Sequence, residues 1–235
     1  MKTLTRQAAG ELMDDPGRSD RELRETLRDL GRINRWFGAR AFVRAYLERV
    51  LPVWRDRASQ PFTLLDVATG GADIPVDIVA WAARRGVPVR IVAVDRHATT
   101  ARLAREMTRP HQAIRIIRAD AGALPFRDRS FDVCLCTLAL HHLDPGEAPA
   151  LIRSLHRLAR LGFLVVDLVR GWDAYAGVWL LTRASRSPLI RHDGPLSVRR
   201  APSWDEYRRL VEAAAVPGLR LRRLPMFRAA LERIG

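Results

Sequence analysis

Leu64-Leu65-Asp66-Val67-Ala68-Thr69-Gly70-Gly71-Ala72-Asp73-Ile74-Pro75 is the stretch on which the reading of the chain turns. An apolar run ends in an acid, passes through a loop of small residues and reaches Pro75. A first helical turn tolerates proline there, because the N–H it lacks would have no partner. Small side chains let the backbone come close to a ligand, and the following helix offers free N–H groups and the positive end of its dipole. A dinucleotide loop would normally carry three glycines at GxGxxG spacing and needs no acid at the strand end. Asp66 therefore turns the reading away from a nicotinamide cofactor.

Outward from this loop, short β-rich runs alternate with helical patterns. The runs are Phe62–Val67, Val89–Val94, Ile114–Arg118, Phe131–Leu138 and Gly162–Leu168, with helices over 75–85, 98–107 and 146–160. Such alternation predicts a parallel sheet with right-handed crossovers and helices on both faces. Ligands in these sheets bind beyond the carboxyl ends of the strands. Asp95 closes the second strand, where a carboxylate takes both ribose hydroxyls of an adenosine, and Asp120 ends the third, within reach of an adenine amino group. Singly, each acid is the residue of a cap or turn. Together, three acids at three successive strand ends fit a ligand with an adenosine and an ammonium group.

Before the sheet, residues 19–51 read as helical. Ser19 or Asp20 caps, Glu22 is placed for a capping box, and Leu23, Leu27, Leu30, Ile33, Trp36 and Phe37 form an apolar stripe. Gly31 and Gly38 permit breaks before a second stripe, Phe42, Val43, Tyr46, Leu47 and Val50, which runs to Pro52. Residues 1–60 are thus an N-terminal helical cap, and the texture changes after Gln60–Pro61. Residues 171–200 break the later alternation with an aromatic-rich helix, Trp172, Tyr175, Val178, Trp179, Leu180 and Leu181, then a polar stretch Ser187–Arg200. An insertion at the carboxyl edge of a sheet reads as a lid. Helix 203–215 and a closing hairpin of Leu219–Leu224 with Met226–Ile234 complete the chain, the last run fitting a helix equally well.

Composition sets the outer limits. The 235 residues are 48% hydrophobic and 28% charged, the balance of a globular chain that buries a full core. No apolar run approaches the roughly eighteen residues of a membrane span. The start has Lys2 but no apolar stretch, and Asp14 and Asp15 follow, so a secretory signal is not expected and the working address is cytoplasmic. Cys134 and Cys136 share one sheet face and read as core thiols. The net charge is +14, with 39 arginines to one lysine, and the excess is spread along the chain. A nucleic-acid surface concentrates its cations with aromatics between them, so such a partner is disfavoured.

The motifs resemble those of the class I S-adenosylmethionine-dependent methyltransferases, in the branch similar to quinone-biosynthesis and small-molecule O-methyltransferases. Asp66–Asp73 corresponds to the first motif and Val94-Asp95 to the second. Ala119-Asp120-Ala121 with Leu124-Pro125-Phe126 gives the third, and Phe131-Asp132-Val133 with Leu140-His141-His142-Leu143 the fourth. Ala68 and Ala72 depart from the commonest glycine pattern. The resemblance implies a Rossmann-like, doubly wound, seven-stranded, mostly parallel α/β sheet over residues 61–235, with 171–200 as the lid. It implies S-adenosylmethionine as cofactor, held by Asp66, Ala68, Thr69, Gly70 and Gly71, by Asp95 and Arg96, and by Asp120, Ala121 and Thr137.

Methyl transfer from a sulfonium is an in-line displacement, for which alignment in a dry cleft supplies much of the rate, and no metal is expected. A hydroxyl acceptor must still lose a proton. His141 and His142 follow the fourth strand and Asp167 ends the fifth, so a His–Asp pair can orient a ring there. Adjacent histidines are expected to point to different sides, one inward and one to substrate. His192, beside Asp193, is the second base candidate. Trp172, Tyr175 and Trp179 at helical spacing are core or dimer contacts more often than substrate stackers; turned to the cleft, they would favour a flat apolar acceptor, with Asp193 at its edge. The expected activity is O-methylation of an aromatic hydroxyl on a polyketide-like or quinol-like molecule by a monomer or homodimer. C-methylation of a quinol ring is the alternative. A nucleic-acid or protein methyltransferase, or a cofactor-binding partner protein without turnover, stands in another class.

Overall fold

The computed structural model describes residues 4–7, 9–15, 17–36, 38–56, 61–185 and 187–235. Lys2, Phe37 and Gln60 lie outside the described residues. Two helices, α1 (Asp20–Trp36) and α2 (Ala39–Arg55), precede the sheet. Ser19 and Glu22 form the expected capping box at α1, each side chain accepting from the other's backbone N–H (3.3 and 3.4 Å).

The alternating segment runs β1 (Phe62–Val67), α3 (Asp73–Ala83), β2 (Val89–Asp95), α4 (Ala98–Met107), β3 (Ile114–Arg118), β4 (Phe131–Thr137), α5 (Ala148–Leu158) and β5 (Ala159–Leu168). It is followed by α6 (Trp172–Arg183), α7 (Pro188–Arg200), α8 (Trp204–Ala214), β6 (Arg220–Leu224) and β7 (Arg228–Ile234). The result is the expected Rossmann-like, mostly parallel seven-stranded sheet, in the order β3-β2-β1-β4-β5-β7-β6. Strands β1 to β5 are parallel, and β7 lies antiparallel between β5 and β6. The order reverses at β1, so the loops after β1 and β4 flank a crevice.

Alternation along each strand divides the core. Leu65, Val67, Cys134, Cys136, Phe163 and Val165 face α5 and α8, where Leu155 and Tyr207 meet them. Leu64, Val133, Leu135, Leu164 and Val166 face α2 and α3, against Leu47, Val50, Ile78 and Trp81. Each fully buried aliphatic or aromatic side chain in these layers contributes roughly 1.5–3 kcal/mol. The thiols of Cys134 and Cys136 are free, buried on one face, and pushed far up in pKa by that burial.

The polar stretch Ser187–Arg200 turns out to be helical: α7 follows directly on Ser187, whose side chain caps it by accepting from Ile190 N. Gly194-Pro195 reads as a breaker, yet the proline is accommodated: the Arg191 carbonyl left without its helical donor accepts from Arg183 Nη2 (3.2 Å). Gly194 brings α7 close to α6, since a Cβ there would lie 2.6 Å from Thr182 Cγ2. The final run, which fits helix and strand equally in sequence, is a strand, β7, from Arg228 onward.

The tightest approach is at Gly162 on β5, where an added Cβ would fall 2.1 Å from the Arg233 carbonyl oxygen and 2.5 Å from Tyr46 Oη. That oxygen is also the acceptor for the tyrosine hydroxyl (2.7 Å), so α2 is fastened to the sheet here. Gly162→Ala is expected to cost at least ~2 kcal/mol in urea denaturation, because backbone has to move. A variant of wild-type stability would show that β5 and β7 have slack.

Candidate active site

The loop after β1 is shaped by its own backbone. Thr69 N donates to Val94 O and Ala72 N to Thr69 O (both 2.9 Å), while Ala68, Gly70 and Ala72 take left-handed φ values of 57°, 54° and 57°. For the alanines this costs on the order of 1 kcal/mol each. Asp66 is buried and accepts the Thr69 hydroxyl (2.6 Å). Burial pushes its pKa up from 3.8 to about 7, aided by Asp73 and Asp95 and opposed by Thr69. Asp95 takes Gly70 N on one oxygen and His97 N on the other (both 3.0 Å). Asp120 accepts from Gly122 N (2.7 Å) in a more open position. All three acids border one cleft of about 310 Å³, together with Ala68, Thr69, Gly70, Gly71, Arg96, Ala121 and Thr137. The sheet thus brings together every residue expected to hold the cofactor.

Helix α1 covers this loop. A Cβ on Gly71 would lie 3.2 Å from Leu27 Cβ, and Leu30 and Ile33 continue along the cleft. Asp73 anchors the helix from below, accepting from Asn34 and Arg40 (3.2 Å each).

The opposite wall is built after β4. Leu138, at φ 54°, turns the chain into a 3-10 turn over Leu140–His142. The His141 amide donates to Asp167 Oδ2 (2.9 Å) and its Nδ1 meets Asp167 Oδ1 (2.7 Å). The His–Asp pair expected from strand order therefore forms. Both rings face one way, with centroids 4.4 Å apart, which corrects the expectation that they diverge. A 3-10 turn sets successive side chains about 120° apart, against the opposite faces of a strand, so two neighbouring rings can converge on one partner.

Between them sits a residue the sequence reading did not single out. Glu11 Oε1 lies 3.5 Å from His141 Nε2, and Oε2 lies 3.7 Å from His142 Nε2. Ser197 Oγ donates to Glu11 (2.7 Å). Burial disfavours charge here, but Asp167 and Glu11 outweigh it and push His141 up to about 10, so this ring keeps its proton at neutral pH. Glu11 and Asp167 are held below the usual carboxylate range: burial opposes the shift and the His141 charge overcomes it. Glu11, His141 and His142 also place a donor atom each within 4.8 Å of the others, a set able to take a divalent ion. No metal set was expected, because Glu11 is some 130 residues from the histidines and no local spacing signals it.

Other expectations are corrected. His192 has a side chain 53% exposed; it binds Asp193 (2.8 Å) and lies outside the cleft lining, so it is no base for this site. Asp193 does border the cleft, but its oxygens accept the amides of Leu12 and Met13 (2.9 and 3.0 Å), fastening the N-terminal segment. Trp172 and Trp179 are 52% and 45% exposed, and Tyr175 packs with Leu4, Leu168 and Ala174. The face of α6 turned to the cleft is instead Val178, Leu181 and Thr182, with Leu189 and Ile190 from α7.

Residues 65–166 match the family model described as a methyltransferase domain. Residues 65–166 are thus a methyltransferase domain of the S-adenosylmethionine-dependent kind. No curated protein matches it in sequence. Among solved structures it is similar to human N-acetylserotonin methyltransferase in complex with S-adenosylmethionine, with a TM-score of 0.64 and 15% identity over 97% of this chain and 62% of that one. It is similar to PigF with S-adenosylhomocysteine (TM-score 0.56, 17% identity, 92% of this chain and 62% of that one). A methyltransferase of Aquifex aeolicus gives 0.51 at 16% identity over 78% and 87%. The methyltransferase spans about six tenths of the first two, and at these identities the likeness is one of fold. S-adenosylmethionine is its methyl donor. The loop fits that molecule: three acids for its hydroxyl, amino and ammonium groups, and small residues where backbone must come close.

Asp66 makes stability depend on pH. A carboxyl whose pKa is raised by folding contributes stability that is full below about 3.8 and lost as pH rises through about 7. Relative to Asp66→Asn, the ligand-free wild type is expected to lose roughly 2–3 kcal/mol between pH 5 and 8 in urea denaturation. A difference that stays constant with pH would remove the buried carboxyl from this account.

Proposed function

We propose that this methyltransferase methylates an aromatic hydroxyl on a small, largely apolar acceptor of the quinol or polyketide kind. The observation that carries the proposal is the polar cluster of Glu11, His141, His142 and Asp167 set into an otherwise apolar chamber. Leu138, Leu168, Val178, Leu181, Ile190 and Phe227 border the same cleft, which continues to the acids of the β1 loop. An aromatic ring suits such walls, and a hydroxyl needs a proton acceptor beside them.

Asp95, held in place by the Gly70 and His97 amides, is the acceptor for the ribose hydroxyls. Asp120 and Ala121 border the adenine end, and Asp66 and Thr137 the amino-acid end. When bound, the cofactor supplies a methyl carbon on a sulfonium. The acceptor hydroxyl, whose oxygen would receive that methyl in place of the sulfonium sulfur, gives its proton to His142 Nε2. Glu11 stabilises the imidazolium that results. His141, already protonated, is a positioning residue: bound to Asp167 and facing Glu11, it keeps that carboxylate in place. The apolar walls exclude water, which strengthens these charge interactions.

Asp95→Ala is expected to weaken S-adenosylhomocysteine binding at least tenfold by calorimetry, since a charge-assisted contact is worth about 1.5–3 kcal/mol. Unchanged affinity would remove the ribose role. For the reaction, the protein is incubated with labelled cofactor and a panel of phenols, quinols and RNA, and the products are weighed and located by NMR. O-methylated phenols or quinols are expected. His142→Ala is expected to lower turnover about a hundredfold at unchanged S-adenosylhomocysteine affinity. Methyl groups on ring carbon, or on RNA alone, would overturn the hydroxyl assignment. Activity abolished by a chelator and restored by a divalent ion would give the Glu11 cluster to a metal.

A further inference from the structure

Arg228 opens β7 and pairs in register with Leu168 at the end of β5. It is 6% exposed and borders the cleft between Phe227 and the strand ends. Its Nη1 donates to Met226 O (3.0 Å), its Nε is buried with no partner, and among the described residues no carboxylate oxygen lies within 4.0 Å of it. Several other buried charges among the described residues are met. Glu232 holds Arg49 and Arg222, Asp132 holds Arg160 and Thr63, and Asp193 takes two amides. Asp167, one residue back along β5, lends Arg228 a negative field, but its oxygens already accept from the His141 amide, the His141 ring and Leu168 N. A buried cation without a counter-charge costs several kcal/mol, and proteins keep one where a ligand supplies the anion.

We infer that Arg228 seats a carboxylate carried by the acceptor, so that the substrate class is an aromatic hydroxy acid. The inference rests on the proposed hydroxyl methylation and narrows it. The position argues for the acceptor over the cofactor. β7 lies three strands from β1 in the sheet, so at about 4.8 Å per strand Arg228 stands roughly 14 Å from the β1 loop, on the side away from β2 and β3. The charge argues for a carboxylate over a phosphate. A single guanidinium matches a monoanion bidentately, whereas a dianion would also face Glu11, Asp66, Asp95 and Asp193 around the same cleft.

The experiment compares a hydroxynaphthoate with its methyl ester, titrated by calorimetry into the methyltransferase loaded with S-adenosylhomocysteine. The acid is expected to bind at least tenfold tighter than the ester. In Arg228→Gln that preference should fall to about onefold, and Arg228→Lys should keep part of it. S-adenosylhomocysteine affinity should hold in both variants. Without acceptor, Arg228→Gln should melt at or above wild type, because an unmatched buried charge is gone; a residue needed only for packing would lower it. Equal binding of acid and ester to wild type, or binding of neither, overturns the inference even if the variant fails to fold. Loss of S-adenosylhomocysteine affinity in Arg228→Gln would give the anion to the cofactor and overturn it as well. The binding arms need no turnover. Tight, Arg228-dependent acid binding without O-methylation of any hydroxy acid would leave the seat standing and fail the proposed reaction.

Discussion

Asp167 is completely buried, and the active cleft is arranged around the need to satisfy its charge. A lone carboxylate in that position would be expensive, so three donors converge on it: the amide and ring of His141 and the amide of Leu168. Meeting that demand ties the turn after β4 to the end of β5 and fixes the direction of both imidazoles. The strained φ of Leu138 follows from the same geometry, since the chain must reverse quickly to bring His141 back over the sheet.

The second constraint comes from the start of the chain. The segment that carries Glu11 is laced to α7 by Gln7 N to Arg199 O, by Ser197 to Glu11, and by the two amides that Asp193 accepts. Helix α1 then crosses the β1 loop with Leu27 against Gly71. The residues before the sheet therefore complete the cleft at both ends, while the sheet supplies the acids. None of the described helices is long and apolar enough to cross a membrane.

How much of this is legible in the sequence follows from the range of the interactions. Strands β1, β4 and β5 announce themselves because each is a largely apolar run buried on both faces, whereas β3 buries only Ile116 and is legible by its place in the alternation; the acids at the strand tips share a loop context that local chemistry explains. The His–Asp pair is legible because strand order places β4 beside β5. Glu11 is not, because its partners are 130 and 131 residues away and its own surroundings are irregular. Arg228 hides in a strand whose other early residues are Ala229, Ala230 and Leu231; the one signal is a charge at the head of an apolar run. The direction of Trp172 and Trp179 is invisible as well. Composition shows that α6 is aromatic, whereas the close seating of Gly177 on Phe227 and of Gly194 on Thr182 decides which face turns inward.

The β1 loop has a thermodynamic corollary. Ala68 and Ala72 are kept in an unfavourable backbone region by bonds to β2 and within the loop, all made by the chain itself. The nucleoside thus meets a rigid mould whose conformational penalty has been absorbed during folding. Its contacts can go into affinity rather than into ordering the peptide around it.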